Sequence, residues 1–402
     1  MVSGRVLQGA NAPWQRQTNR TSILQQLLTR GSASRHRLAE MTGLGASTIS
    51  RITEDLITEG LIVERRPEIG TAGRQRRRVG RPPVDLDLHP GVYVLALHIG
   101  VVTAHMALVD LRVRVVARSR WPLSSDLAAE DTLVALGQAA LALAKEASAT
   151  VSQIVEVGVA PGGVVDSPWM ILSHPRVGWS QVAARALVAE ATGYPTALDA
   201  SVRSIAMAGT WFGGATETEN LAVLLVGNVV TCGLIINGEL ARGSAFGDGQ
   251  VGYLRVGSEE VECSCGGRGS LEAAVRDDAF VAAAQGILGN ACQFASDVYA
   301  AARTSNSDAQ RLVAVRAAPI ARALGIIDAV VKPELMILVG SSIVAGGDLQ
   351  LAAIRRSLGE AGNTLRAIDP TRVRISRFGE DAIVVGAAAL ALERSYKSGG
   401  RY

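Results

Sequence analysis

The sequence predicts an α/β protein in two parts: an N-terminal winged helix-turn-helix and a larger region of two strand-rich α/β lobes. Three observations predict it. Two helical apolar patterns flank Thr42-Gly43-Leu44-Gly45, and two short strand patterns follow them. Past residue 90, apolar strand runs and helical stretches alternate, and the alternation occurs twice. Charge divides along the same boundary: residues 1–90 carry 14 Arg against 8 Asp and Glu, although the whole 402-residue chain has a net charge of only +3.

The first element expected is a loose polar arm over 1–19. A helix from about Arg20 to Thr29 follows, with Ile23, Leu27 and Leu28 on one face. The second helix starts at Ser34, an N-cap residue type, and carries Leu38 and Met41. In the third, Ile49, Ile52 and Leu56 recur at i, i+3 and i+7 and form a buried stripe. That stripe turns Ser47, Thr48, Ser50 and Arg51 outward near the helix start, where recognition helices meet base edges. Short hydroxyls allow close approach to DNA, and Arg51 can pair with guanine or phosphate.

Leu61 to Arg66 and Val84 to Leu88 read as paired strands, closing the module at residue 89. Between them lies a wing bearing Arg74, Arg76, Arg77, Arg78 and Arg81. Gly80-Arg81-Pro82-Pro83 resembles the core of an AT-hook, an extended Arg suited to a narrow minor groove. Helix, wing and charge asymmetry together point to duplex DNA as the partner.

The remaining 90–402 is rich enough in apolar residues for a sizeable core, at 48% over the whole chain. Tyr93 to Gly100 and His105 to Asp110 begin a meander. An alanine-rich helix spans about Ala128 to Ala147, and Ile154 to Gly163 is a buried strand ending in a glycine turn. Leu221 to Val226, Gly233 to Asn237, Glu239 to Arg242 and Leu335 to Gly340 repeat the theme. Ala382 to Arg394 closes the chain as an apolar helix. The longest apolar or glycine run, Ala382 to Leu392, is too short to span a membrane. The N-terminus has no apolar secretion signal. Four cysteines, Cys232, Cys263, Cys265 and Cys292, suit a reducing cytoplasm better than a disulfide framework.

In order along the chain, Leu97-His98-Ile99-Gly100, Gly158-Val159-Ala160-Pro161-Gly162, Leu198-Asp199-Ala200-Ser201, Gly249-Gln250-Val251-Gly252-Tyr253 and Cys263-Ser264-Cys265-Gly266-Gly267 resemble the motifs of the ROK family (repressors, open reading frames and kinases). The resemblance covers nearly the whole chain and is closest to winged-helix repressors of the NagC and Mlc type. It implies the actin-like ATPase fold, with one lobe over about 90–200 plus the helix at 380–395 and the other over about 201–379. It also implies a homodimer or homotetramer.

Several motifs depart from the family pattern. Family kinases open the domain with Asp-Ile-Gly-Gly-Thr, where this chain has His98-Ile99-Gly100-Val101-Val102-Thr103. Valine places a Cβ where glycine would let backbone approach phosphate. The second phosphate loop is Gly227-Asn228-Val229-Val230, and the adenosine-side Gly-Gly is Gly340-Ser341-Ser342. ATP and phosphoryl transfer are therefore not expected. In the sugar pocket Asp199 holds the family's catalytic-base position and Glu272 is kept, while Gln250 and Tyr253 replace Glu and His. These four could still hold a sugar or sugar phosphate. The family zinc site falls on Tyr253, Cys263, Cys265 and Ser270, only two of them good ligands, so zinc is not expected.

The expectation is a cytoplasmic transcriptional regulator of repressor type, not an enzyme, reading a palindromic operator as a symmetric oligomer. A sugar kinase with a DNA-binding appendage and an effector-independent architectural DNA binder are the rivals.

Overall fold

The computed structural model describes residues 12–65, 84–124, 127–147, 153–165, 170–212, 218–243, 249–258, 261–263, 266–290, 292–360 and 368–398. The N-terminal module comprises α1 (Ala12–Arg30), β1 (Ala33–Ser34), α2 (Arg35–Thr42), α3 (Ala46–Thr58), β2 (Ile62–Arg65) and β3 (Asp85–Leu88). The strands form one sheet in the order β1-β3-β2, with Ile62 opposite Leu88 and Arg65 opposite Asp85. Ser34 caps α2 by accepting from the Arg37 amide at 3.3 Å, and Gly43 ends it in the left-handed region at φ 70°. Ile49, Ile52 and Leu56 are buried, and Thr53 joins them.

One expectation fails here. The first helix begins at Ala12, not Arg20, so the arm does not extend to residue 19. The added turns lack an apolar stripe but hold an ion pair: Arg16 reaches Asp55 at 2.7 Å. A tertiary ion pair fixes turns that periodicity alone leaves polar. The wing arginines Arg74, Arg76, Arg77, Arg78 and Arg81 lie outside the described residues.

The large region starts with β4 (Val92–Ile99), β5 (Thr103–Asp110), β6 (Val115–Pro122) and α4 (Ala129–Glu146). Next come β7 (Gln153–Pro161), β8 (Val164–Val165), β9 (Ile171–His174), β10 (Trp179–Val182), α5 (Ala184–Thr192), β11 (Thr196–Leu198) and α6 (Ser201–Phe212). The second half holds β12 (Leu221–Val226), β13 (Val230–Ile236), β14 (Glu239–Leu240), α7 (Leu271–Val275), α8 (Asp277–Leu288), α9 (Ala295–Arg303) and α10 (Ser307–Val331). It ends with β15 (Leu335–Val339), α11 (Ser341–Glu360), β16 (Val373–Ile375) and α12 (Ala382–Ser398).

Two five-stranded sheets result, ordered β11-β7-β4-β5-β6 and β14-β13-β12-β15-β16. In each, an antiparallel meander of three strands is extended by two parallel strands on the far side of its first strand. The topology is thus repeated, one sheet per lobe. The repeat puts the β4–β5 and β12–β13 turns at the mouth of one inter-lobe cavity, whose lining both turns share. β8, β9 and β10 form a small separate sheet that sequence periodicity did not resolve.

Helix α12 packs on β4, β7 and α6, and its residues from Val384 to Tyr396 share one core with Ile23, Leu24 and Leu27 of α1. Arg20 donates through Nε to the Tyr396 carbonyl at 2.9 Å, and Tyr396 donates its hydroxyl to the Leu111 carbonyl at 2.9 Å. Arg112 donates to the Leu27 carbonyl at 3.1 Å and pairs with Asp87. The N-terminal module is therefore continuous with the first lobe, not tethered beside it.

Candidate functional site

Three surfaces carry candidate residues. The first is the start of α3. Gly45 is its N-cap and offers no side-chain acceptor, so the first-turn amides stay open to an outside acceptor. Ser47 and Arg51 are exposed, while Thr48 and Ser50 are half-buried. Other arginines of the module are paired with acids: Arg16 with Asp55, Arg20 with Glu59, Arg35 with Glu64 and Arg65 with Asp87. Arg51 makes no ion pair among the described residues, nor do Arg30 and Arg37. Those two line a groove with Gln26 and Met41. Sequence reasoning passed over Arg30 and Arg37, because only tertiary pairing separates free guanidinium groups from committed ones.

The second surface surrounds Asp199, at the carboxyl end of β11, where its amide extends the parallel pairing to the Val159 carbonyl. The carboxylate is buried and held by two guanidinium groups. Oδ1 accepts from Arg203 Nε at 2.5 Å and from the Ala200 amide at 2.7 Å, and Oδ2 accepts from Arg242 Nη2 at 2.8 Å. Two guanidinium groups against one carboxylate leave the cluster positive. Arg203, itself buried, also donates to the Val165 carbonyl at 3.2 Å.

Glu272 lies in α7 and accepts from the Val230 amide at 3.1 Å. The turn carrying Gln250 and Tyr253 packs against the same strand. A Cβ on Gly252 would lie 2.5 Å from the Val230 carbonyl and 3.3 Å from the Glu272 side chain. Gln250 is half-buried and Tyr253 exposed. The structure brings Gln250, Tyr253 and Glu272 to one strand, while Asp199 is engaged by its two arginines.

Of the residues matching the family zinc pattern, Cys265 lies outside the described residues. Ser270 is the N-cap of α7, accepting from the Ala273 amide at 3.1 Å. Cys263 is buried in a turn closed by backbone bonds, Cys263 N to Gly267 O at 2.9 Å and Gly266 N to Cys263 O at 3.0 Å. Burial pushes the Cys232 thiol up to about 12, far from the thiolate a metal needs. No metal-binding cluster of His, Cys, Asp and Glu occurs among the described residues.

The third surface is the inter-lobe cavity, about 730 Å³. His98, Val102, Asn228, Asp278, Phe294 and Glu380 are among its lining residues. Asp199, Gln250, Tyr253 and Glu272 are not. At its floor, His98 Nδ1 lies 2.8 Å from the Ala160 carbonyl. A carbonyl can only accept, so the proton sits on Nδ1 and Nε2 is left as an acceptor. Burial first, then nearby His105, lowers the His98 pKa to about 3.

In each of the two glycine turns one amide is bonded within the turn. The Gly100 amide donates to the Thr103 carbonyl at 3.1 Å, and the Gly227 amide to the Val229 carbonyl at 3.2 Å. Asn228 Oδ1 accepts from the Asp278 amide at 3.1 Å and so covers the start of α8, whose first turn also carries Asp277 and Asp278. That helix start is thereby capped, and its two acids are paired, Asp277 with Arg316 and Asp278 with Arg176 and Arg276.

The profile of the ROK family matches residues 94–394. The chain is 25% identical over 394 residues to a putative xylose repressor of Caldicellulosiruptor sp. strain Rt8B.4, covering 94% of this chain and 96% of that one. Among solved structures, a ROK family transcriptional regulator described as a homolog of the E. coli MLC protein superposes with a TM-score of 0.75 at 21% identity, covering 96% of this chain and 97% of the other. A ROK family glucokinase from Streptomyces griseus, solved with glucose and AMPPNP, gives 0.65 at 22% identity over 74% of this chain and 99% of its own.

Proposed function

This chain belongs to the ROK family, and from that premise we propose that it is a sequence-specific DNA-binding transcriptional regulator of repressor type. The observation that carries the reading is the start of α3. Ser47 and Arg51 are exposed there, Thr48 and Ser50 stand beside them, and Arg51 is spared the pairing that occupies its neighbours. The full-length likeness to a putative xylose repressor and the fold shared with an Mlc-type regulator support it. The large region acts as scaffold and effector sensor for a sugar or sugar derivative, and a homodimer or homotetramer reads a palindromic operator. The site of action is the cytoplasm. No described helix is long and apolar enough to cross a membrane.

The fold is shared with a glucokinase, which keeps a sugar kinase in view. Val101 and Val102 in the first glycine turn and the capped start of α8 weigh against that reading. The experiment is a gel shift on operator DNA recovered by genomic footprinting. Arg51→Ala should weaken binding by about ten-fold or more, the worth of one bidentate base contact. The same variant should leave the thermal midpoint unchanged. Unaltered affinity and sequence preference would remove α3 from the interface. Coupled ADP release with hexoses and ATP should stay at background; turnover would restore the kinase.

A further inference from the structure

We propose that Arg112, a residue of the first lobe, is a positioning residue for DNA reading: its pairing with Asp87 holds the winged helix at one angle to the lobe and so sets the spacing between half-sites. This deepens the regulator reading and rests on it.

The turn between β5 and β6 is built to present Arg112. Asp110 is buried, and its Oδ1 accepts from the Arg112 amide at 2.8 Å and from the Arg114 amide at 2.9 Å. Arg114 Nε donates to the other carboxylate oxygen at 2.7 Å. Val113 is held at φ 64°, a left-handed conformation that a β-branched residue adopts only under constraint. The Leu111 carbonyl accepts from the Tyr396 hydroxyl of α12 at 2.9 Å, which seats the turn on the first lobe. These bonds fix the backbone from which the Arg112 side chain leaves.

One guanidinium then reaches two elements of the N-terminal module. Nη1 donates to the Leu27 carbonyl at 3.1 Å, in the last turn of α1. A cation there satisfies a carbonyl at the negative end of the helix dipole. Nη2 pairs with Asp87 of β3. Asp87 is itself buried, and its other oxygen faces Arg65 Nε of β2 at 3.4 Å. Both strands of the wing and the end of α1 are thereby tied to a single turn of the large region.

The chemistry of the tie matters. The apolar core shared by α1 and α12 resists separation but is not directional. A forked donor on a carboxylate and a carbonyl is directional, and a buried carboxylate is costly to strand without its partner. The arrangement that keeps Arg112 on Asp87 is therefore favoured over neighbouring angles. In a symmetric dimer, a spacer longer by one base pair moves a half-site by about 3.4 Å and turns it by about 35°. Only modules held at a fixed angle penalise that shift.

The test compares the full unaltered chain with Arg112→Ala and with the double variant Arg112→Ala, Asp87→Asn. The double variant removes the charge that the single one leaves buried, so it retains the fold while losing the tie. In hydrogen exchange, β2, β3 and the last turn of α1 should exchange about ten-fold faster in both variants, with β12 and β15 unchanged. Gel shifts then use footprinted operator DNA with the spacer lengthened or shortened by one and two base pairs. The unaltered chain should favour the footprinted spacing by about ten-fold, and the variants should flatten that preference to about two-fold while holding a single half-site within about three-fold of the unaltered affinity. The proposal is overturned if exchange in β2 and β3 is unchanged, or if both variants keep the spacing preference. An equal loss at every spacer also overturns it, because Arg112 would then serve the fold alone. Failure of the regulator reading looks different: the unaltered chain would bind no operator at any spacing, and the spacing role would fall with it even where the exchange pattern appeared.

Discussion

His98 shows how one residue sets the chemistry of a cavity. Its Nδ1 is tied to the Ala160 carbonyl, burial holds it neutral, and Nε2 is left as an acceptor. The same facts make stability depend on pH. The unfolded histidine titrates at 6.5 and the folded one at about 3, so between these values the unfolded state binds more protons. Stability is therefore complete above the upper value and falls as pH drops toward the lower one, by up to about 1.4 kcal/mol per pH unit for each such histidine. His105 and His174 are lowered in the same direction, chiefly by burial. Thermal midpoints measured from about pH 7 to about pH 4.5 should fall steadily. His98→Asn keeps a donor for the Ala160 carbonyl but cannot titrate, so its slope should be shallower by about one proton. An unchanged slope would mean that His98 is already protonated in the folded state.

At the scale of elements, β7 and α12 meet more closely than their side chains alone would allow. Gly158 in β7 faces Ala387 in α12, and a Cβ there would lie 1.8 Å from the Ala387 carbonyl oxygen. Backbone cannot yield to that contact, so Gly158→Ala should cost several kcal/mol and yield little folded protein. Gly286 is the contrasting case. It sits inside α8, is exposed, and a Cβ would meet nothing within 4 Å. Gly286→Ala should stabilise the chain by about 0.5–1 kcal/mol. Urea unfolding of the pair checks both signs; a tolerated Gly158→Ala would mean that β7 and α12 can separate. These contacts also mark what the sequence could disclose. The apolar stripe of α3 was legible because its period is local. So were the repeated strand runs, which the paired sheets confirm. The first turns of α1 were not, since Arg16 finds its acid 39 positions away. Nor was the closure of Asp199: Arg203 is four residues on, but Arg242 arrives from the other lobe. The capping of α8 by Asn228 spans 50 residues and was hidden for the same reason.

Across the whole molecule, α12 joins the two functional ends. Ala382 and Ile383 line the cavity, and Tyr396 lies at the junction with α1. Those ends are separated by roughly 20 Å of helix, at about 1.5 Å per residue. α1 is tied in turn to α3, through Arg16 with Asp55, and to the end of α3 through Arg20 with Glu59. A movement of the cavity walls therefore has a continuous packed route to α3. A ligand would use that route only by binding one arrangement more tightly than another. The same continuity predicts cooperative unfolding. Because α1, the first lobe and α12 share one core, calorimetry should show a single transition for the module and first lobe together. Tyr396 is fully buried in that core, packs tilted against Trp211 with ring centres 6.0 Å apart and bonds to Leu111. Tyr396→Ala should cost about 3–5 kcal/mol, the range for losing a large buried aromatic side chain. Although Tyr396 is remote from any base, the variant should also weaken operator binding, because α1 would lose its seat. Two separate transitions in the unaltered chain, or a Tyr396→Ala protein with lowered stability and full operator affinity, would show that the two parts fold and act independently.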